Sequence, residues 1–255
     1  MKGKTLKSIV ASILSVAMLM SFAACGEGGS EKDNKNDSAD ASASDNADIN
    51  SDGKSTIDKN VKVGDYVTFG SYEQDNDTSN GKEPIEWLVL DVQDGKALVI
   101  SKYGLDAKRY NEELAEVTWE TCTLRKWLNN EFVNTAFTSE EKAKIPTVTV
   151  SADANPSYST DPGNATQDKV YLLSINELNK YFSSDSARVC EPTKYAVVNV
   201  ADANRDIVNS CWWLRSPRDC QYDAAIVAYG NILDHDYDIG MDCVAVRPAM
   251  WITVG

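Results

Sequence analysis

Between Val61 and Tyr103 the large apolar residues fall in three short runs, Val61 to Tyr72 with Val63, Tyr66-Val67 and Phe69, then Ile85 to Val92, then Ala97 to Tyr103. Each run is rich in β-branched and aromatic side chains, and clusters of Asp, Asn and Gly part them. Such residues pack well on a pleated surface, so the pattern predicts an antiparallel meander, with Asp94-Gly95 as a two-residue hairpin between the second and third strands. The period then changes. Trp119, Cys122, Trp127, Leu128 and Phe132 recur at spacings of three to five, which predicts an amphipathic helix over 118–137 with Cys122 on its buried stripe. Thr138-Ser139-Glu140-Glu141 reads as a capping box that opens a short helix stopping at Pro146. Ser174-Ile175-Asn176-Glu177 is a second, after the strand-like Val170 to Leu173 and before Leu178, Tyr181 and Phe182. Strands return from Cys211, with Tyr229-Gly230-Asn231 as a turn and Val244 to Val254 as the closing strand. The fold class predicted is α+β, with helices inserted between β segments and no internal repeat.

Ahead of Val61 the pattern is of another kind. Lys2, Lys4 and Lys7 precede an apolar run from Ile9 to Met20, too short for a comfortable membrane span and closely followed by small residues, which reads as an export leader over residues 1–24. Phe22-Ala23-Ala24-Cys25 resembles the lipobox of bacterial lipoproteins, which prefers Leu where Phe22 stands; the resemblance implies cleavage before Cys25 and a diacylglycerol on its thiol. Residues 25–60 are then a lipidated cysteine and a tether of Ser, Asp, Asn, Lys, Gly and Ala, with Ile49 and Ile57 isolated. That composition buries too little apolar surface to offset its ordering entropy and is expected to be disordered. The expected location is the outer face of the cytoplasmic membrane, with 61–255 as one globular domain of roughly 195 residues, enough for one core and short of two full lobes.

Charge narrows the partners. The chain has 25 basic and 39 acidic residues, and loss of the three leader lysines takes its formal charge from −14 to −17. Such a surface is repelled by phosphate backbones and anionic lipid, so nucleic acid is not an expected partner and the lipid anchor alone should make the membrane contact.

Two C-terminal segments are distinctive: Trp212-Trp213-Leu214-Arg215-Ser216-Pro217 and, about thirty residues on, Val246-Arg247-Pro248-Ala249-Met250-Trp251. With Phe69-Gly70-Ser71-Tyr72, Ile85-Glu86-Trp87, Trp119, Cys122 to Leu128, Asn129 and Phe132, the chain resembles an uncharacterised domain family of exported Gram-positive proteins marked by WWLRSP and GVRPAxW motifs. It departs from the pattern at Arg218 and Ala245, where glycine is usual. The resemblance implies a fold similar to C-type lectin-like domains and the formylglycine-generating enzyme group, and it brings no established activity. Read as residues, Trp212, Trp213 and Trp251 supply core, and Arg215 and Arg247 can satisfy loop carbonyls or a buried carboxylate. The alternative is that the two arginines line a pocket for an anion.

Candidate chemistry is sparse. Asp234, Asp236 and Asp238 have the opening spacing of a calcium loop, but Ile239 stands where glycine is wanted and Ala245 where the bidentate glutamate is wanted. Asp75, Asp77 and Ser79 have Glu86 at the final position, with Asn80 in place of glycine. Calcium is therefore carried forward only for the later acidic segment, through a lectin-like loop geometry. His235 is the sole histidine, and no Cys or His spacing suits zinc. Five cysteines remain after Cys25: Cys122 is expected as a core thiol, while Cys190 with Cys211 and Cys220 with Cys243 are candidate disulfides or, in an anaerobe, thiols. The expected function is a lectin-like binding module for a carbohydrate, wall polymer or surface protein, without catalysis. Its ligand face is placed at Asp219 to Asp242, with Tyr222, Tyr229, His235 and Tyr237 for stacking and Asp223, Asp236 and Asp238 for hydrogen bonds. Alternatives are a solute-binding lipoprotein of a transporter, which the absence of alternating βαβ lobes opposes, and a cysteine oxidase of the formylglycine-generating type.

Overall fold

The computed structural model describes residues 57–200, 211–233 and 238–255, all within the compact unit Ala43–Gly255. No helix among these residues is long and apolar enough to cross a membrane. The protein is mixed α+β, dominated by mostly antiparallel sheets.

Strands β1 (Tyr66–Tyr72), β2 (Glu83–Gln93) and β3 (Lys96–Ser101) form the predicted meander. The hairpin between the last two places Asp94 and Gly95 at φ 50° and 68°, the left-handed pair whose twist matches the flanking strands. A five-stranded sheet is completed by β12 (Ala249–Thr253) beside β3 and β7 (Val170–Tyr171) beyond it. A second sheet has the order β10 (Asn231–Leu233), β9 (Ala224–Ala228), β8 (Trp212–Pro217), β11 (Ala245–Val246) and β4 (Asp106–Ala107), in which β8 and β11 run parallel. Strands β5 (Val148–Val150) and β6 (Thr166–Asp168), which the apolar pattern did not reveal, pair by themselves.

The single closing strand expected from Val244 to Val254 is two strands in two sheets. Pro248, with no N–H to donate, separates β11 from β12, so one short segment joins the sheets into a common core. That core contains Trp87, Trp212, Trp213, Phe69 and Phe132, each below 2 % exposed. Buried indole N–H groups all find carbonyls or carboxylates here: Trp87 donates to Phe69 O at 2.7 Å, Trp213 to Lys108 O at 2.8 Å and Trp119 to Asp168 at 3.1 Å.

The helix predicted over 118–137 starts later. Helix α1 (Thr123–Trp127) is capped by Cys122, whose Sγ accepts from Arg125 N at 3.5 Å; a π-helical turn (Leu128–Phe132) and α2 (Val133–Ala136) follow. Cys122 is thus buried at an N-cap instead of along a stripe. Asn129, on the π turn, accepts from Lys169 N at 2.8 Å and donates to Val170 O at 2.8 Å, which satisfies the outer edge of β7. Both capping boxes form, opening α3 (Ser139–Lys144) and α4 (Ile175–Tyr181). Helices α5 (Asp185–Arg188) and α6 (Lys194–Val198) lead back toward the second sheet. The turn from β7 into α4 is fastened to β8: Arg215 N donates to Leu173 O at 3.0 Å, and Ile175 N to Ser216 Oγ at 3.1 Å.

Candidate functional site

The outer end of the first sheet forms one wall of a cleft of about 260 Å3. Trp251 on β12 faces Leu98 on β3 in register, and Tyr171 lies on β7 beside them. Val148, Thr149, Val150 and Ser151, on β5 and just after it, line another side. From α4 come Glu177 and Tyr181, four residues apart and so on one helical face. The lining is aromatic and aliphatic, with hydroxyls on Thr149, Ser151, Tyr171 and Tyr181 and one charged residue, Glu177. Tyr171 is buried, and burial followed by the nearby Glu177 charge raises its phenol above the ordinary value; it serves as a neutral hydroxyl. Tyr181 is also raised by burial, while its hydroxyl receives Lys180 Nζ at 2.9 Å and lies 3.4 Å from Asp91 Oδ2.

Glu177 is fixed from both sides. As the third residue of α4 it accepts Ser174 N at 2.9 Å on Oε2, and the same oxygen accepts from Arg215 Nη1. Among the described residues no protein group donates to Oε1. Arg215, 3 % exposed, projects from β8 into the gap between sheets. Its Nε donates to Ser151 O at 3.2 Å, Nη1 to Leu172 O at 2.8 Å and to Glu177, and Nη2 to Ser151 Oγ at 3.4 Å and Asp153 Oδ2 at 3.2 Å. All five N–H directions of the guanidinium are used, in the several-sided way that only arginine permits. Arginine therefore organises the carboxylates behind the cleft and holds no donor in reserve for a ligand.

A family model described as a domain of unknown function, DUF6273, matches residues 94–254. The chain belongs to this family. Every residue lining the cleft, and Arg215 and Asp153 behind it, lies inside the matched segment, while β1 and β2 precede it and pair into its first sheet. No curated protein and no solved structure matches the chain.

Of the face placed on Asp219 to Asp242, the described residues keep Tyr222 and Tyr229 apart. Tyr222 and Tyr229 flank β9 at opposite ends, on the order of 20 Å apart for seven nearly extended residues, so they cannot stack on one small ligand. Tyr222, exposed, sits near Asp223 and Asp238, whose backbones bridge. Tyr229 has φ 50° in the β9–β10 turn, where a Cβ on Gly230 would meet Asp185 O at 2.0 Å. Asp234, His235, Asp236 and Tyr237 lie outside the described residues, as does Cys25. Arg247 is buried with Nε on Ser101 O at 2.9 Å and its guanidinium 4.9 Å from the Trp212 ring and 5.5 Å from that of Phe182. Neither motif arginine is among the residues that line the cleft.

Two groups among the described residues bring three metal-capable atoms together: Glu73, Asp75 and Glu83, and Asp219, Cys220 and Asp223. The calcium spacing at Asp75, Asp77 and Ser79 does not converge. Asp75 and Asp77 accept from the loop's own Asp77 N and Ser79 N at 2.8 and 3.1 Å, and Glu86 is turned to Lys102 at 2.8 Å. The structure joins neither Cys190 with Cys211 nor Cys220 with Cys243 as a disulfide among the described residues. Burial pushes Cys122 up to about 12 and raises Cys190; Cys220 is raised by desolvation and by Asp223, to which its Sγ donates at 3.4 Å. At these three cysteines the surroundings disfavour the thiolate.

Sequence reasoning missed Tyr171, Glu177, Tyr181 and Ser151 as site residues. One signal was present: Glu177, read as a cap, is followed at the next helical turn by Tyr181.

Proposed function

We propose that the protein is a lipid-anchored, cell-surface binding module of C-type lectin-like fold, and that it holds a saccharide of the envelope in the cleft between Trp251, Tyr181 and Glu177. The observation that carries this reading is a carboxylate locked in place by Arg215 and Ser174 N, with one oxygen unclaimed among the described residues, beside aromatic side chains. Sugars suit that pairing, because aromatic faces cover their C–H surfaces while a fixed acceptor takes a hydroxyl without ordering cost. A volume near 260 Å3 fits a short stretch of glycan or wall polymer and falls short of the broad face that a stable protein partner occupies. The anchor rests on the basic leader and the Phe22-Ala23-Ala24-Cys25 segment. Calcium has no necessary part in this binding mode.

A glycan array probed with the full chain in detergent tests the proposal. Wild type is expected to hold a defined subset of saccharides. Trp251→Ala and Tyr181→Ala should each weaken that binding about tenfold, roughly 1.4 kcal/mol, and Tyr222→Ala should leave it unchanged. Loss of binding in Tyr222→Ala alone would return the ligand to the Asp219–Asp242 face, and an array without any bound saccharide would overturn the proposal.

A further inference from the structure

The described residues in and behind the cleft carry more negative than positive charge. Glu177 is the only charged residue lining the cleft, and Asp153 stands just behind. Asp153 Oδ2 accepts Ser174 Oγ at 2.6 Å and Arg215 Nη2 at 3.2 Å, while its Oδ1, like Glu177 Oε1, receives no donor from the described residues. Two carboxylates thus share one guanidinium, whose five N–H groups are already spent on protein acceptors. At the rim Lys180 adds no net charge, since Asp91 lies 3.5 Å from its ammonium. That ammonium also lies 4.5 Å from the centre of the Tyr181 ring, which places one of the cleft's aromatic residues within cation–π range of an amine.

From this imbalance we infer that the cleft selects amino sugars carrying a free ammonium over their N-acetylated forms, and rejects acidic sugars. The inference rests on the saccharide reading above and goes beyond it by naming the ligand's charge. A protonated amine would supply the missing donor to Glu177 Oε1, neutralise the surplus carboxylate and lie against aromatic faces. An N-acetyl group offers one uncharged N–H in its place. A ligand carboxylate or phosphate would meet like charge, with no cationic side chain lining the cleft to receive it.

The experiment is calorimetric titration of the full chain in detergent, at about pH 6 where an amine of the α-amino type is protonated. Three probes are compared: β-1,4-linked glucosamine tetramer, its fully N-acetylated counterpart and a galacturonic acid tetramer. The free-amine tetramer is expected to bind about tenfold tighter than the acetylated one, as a charge-assisted hydrogen bond requires, with no heat from the uronate. In Glu177→Gln the advantage should fall to about twofold or less. Because that variant also alters a helix cap, Asp153→Asn and a wild-type titration at high salt provide independent readings of the same loss. Equal or tighter binding of the acetylated tetramer, or any binding of the uronate, would overturn the inference and leave the saccharide reading standing. Silence from all three probes would overturn the inference, and the saccharide reading would then stand or fall with the array.

Discussion

Replacing Arg215 with alanine is expected to destabilise the fold by about 3–5 kcal/mol, because it removes the cation from a buried cluster and leaves its carboxylates uncompensated. The Arg215 side chain joins Ser151 and Asp153 after β5, Leu172 after β7 and Glu177 on α4 to strand β8. Neither Asp153 nor Glu177 can escape fully to water, with side chains 22 % and 25 % exposed. Urea unfolding followed by tryptophan fluorescence should show the midpoint lowered by roughly 1.5–3 M for an ordinary dependence on denaturant. Arg215→Lys keeps the charge but has three donors for five acceptors, so it should fall between the two. A loss below about 1 kcal/mol in Arg215→Ala would mean that the sheets and α4 hold together without this junction, and the pre-oriented Glu177 would lose its cause.

Cys25→Ala should move the protein from the membrane fraction to the soluble one almost completely. Two acyl chains contribute about 0.8 kcal/mol for each buried methylene, which makes attachment stable where one short chain would exchange, and an acidic domain provides no second attraction to anionic lipid. Fractionation of cells, with metabolic labelling by a fatty acid, checks this. Labelled, membrane-bound Cys25→Ala protein would remove the lipid anchor from the account.

Local signals in the sequence carried over well where local physics decides. Asp94-Gly95 forms its turn because both positions take positive φ, and Thr138 and Ser174 open helices because their side chains satisfy the exposed N–H groups three residues on. Failures came where distant groups decide. Cys122 to Phe132 has helical spacing throughout, yet Asn129 must reach β7, and a π turn interrupts the helix there. Val244 to Val254 reads as one strand, although Pro248 hands the chain from one sheet to the other. Strands β5 and β6 are three residues each, with too few apolar positions to announce themselves.

The candidate cleft was the least legible part. Its residues are spread from Leu98 to Trp251 over strands and a helix, and none is chemically unusual in isolation. Asp219 to Asp242 drew attention through its density of acids and aromatics, but density is not convergence: β9 holds Tyr222 and Tyr229 apart. Trp251 and Arg215 were recognisable as motif residues; that one stands at the cleft wall and the other behind Glu177 follows only from how β12 and β8 are placed.

The most direct test is an indole N–H titration by NMR, using the full chain in detergent and a saccharide that it retains on the array. Three of the six tryptophans provide internal controls, since Trp87, Trp212 and Trp213 are fully buried, whereas Trp251 lines the cleft. The Trp251 signal should shift progressively with ligand while those of the three buried indoles stay fixed. A stationary Trp251 signal at saturating ligand would contradict a saccharide site in this cleft.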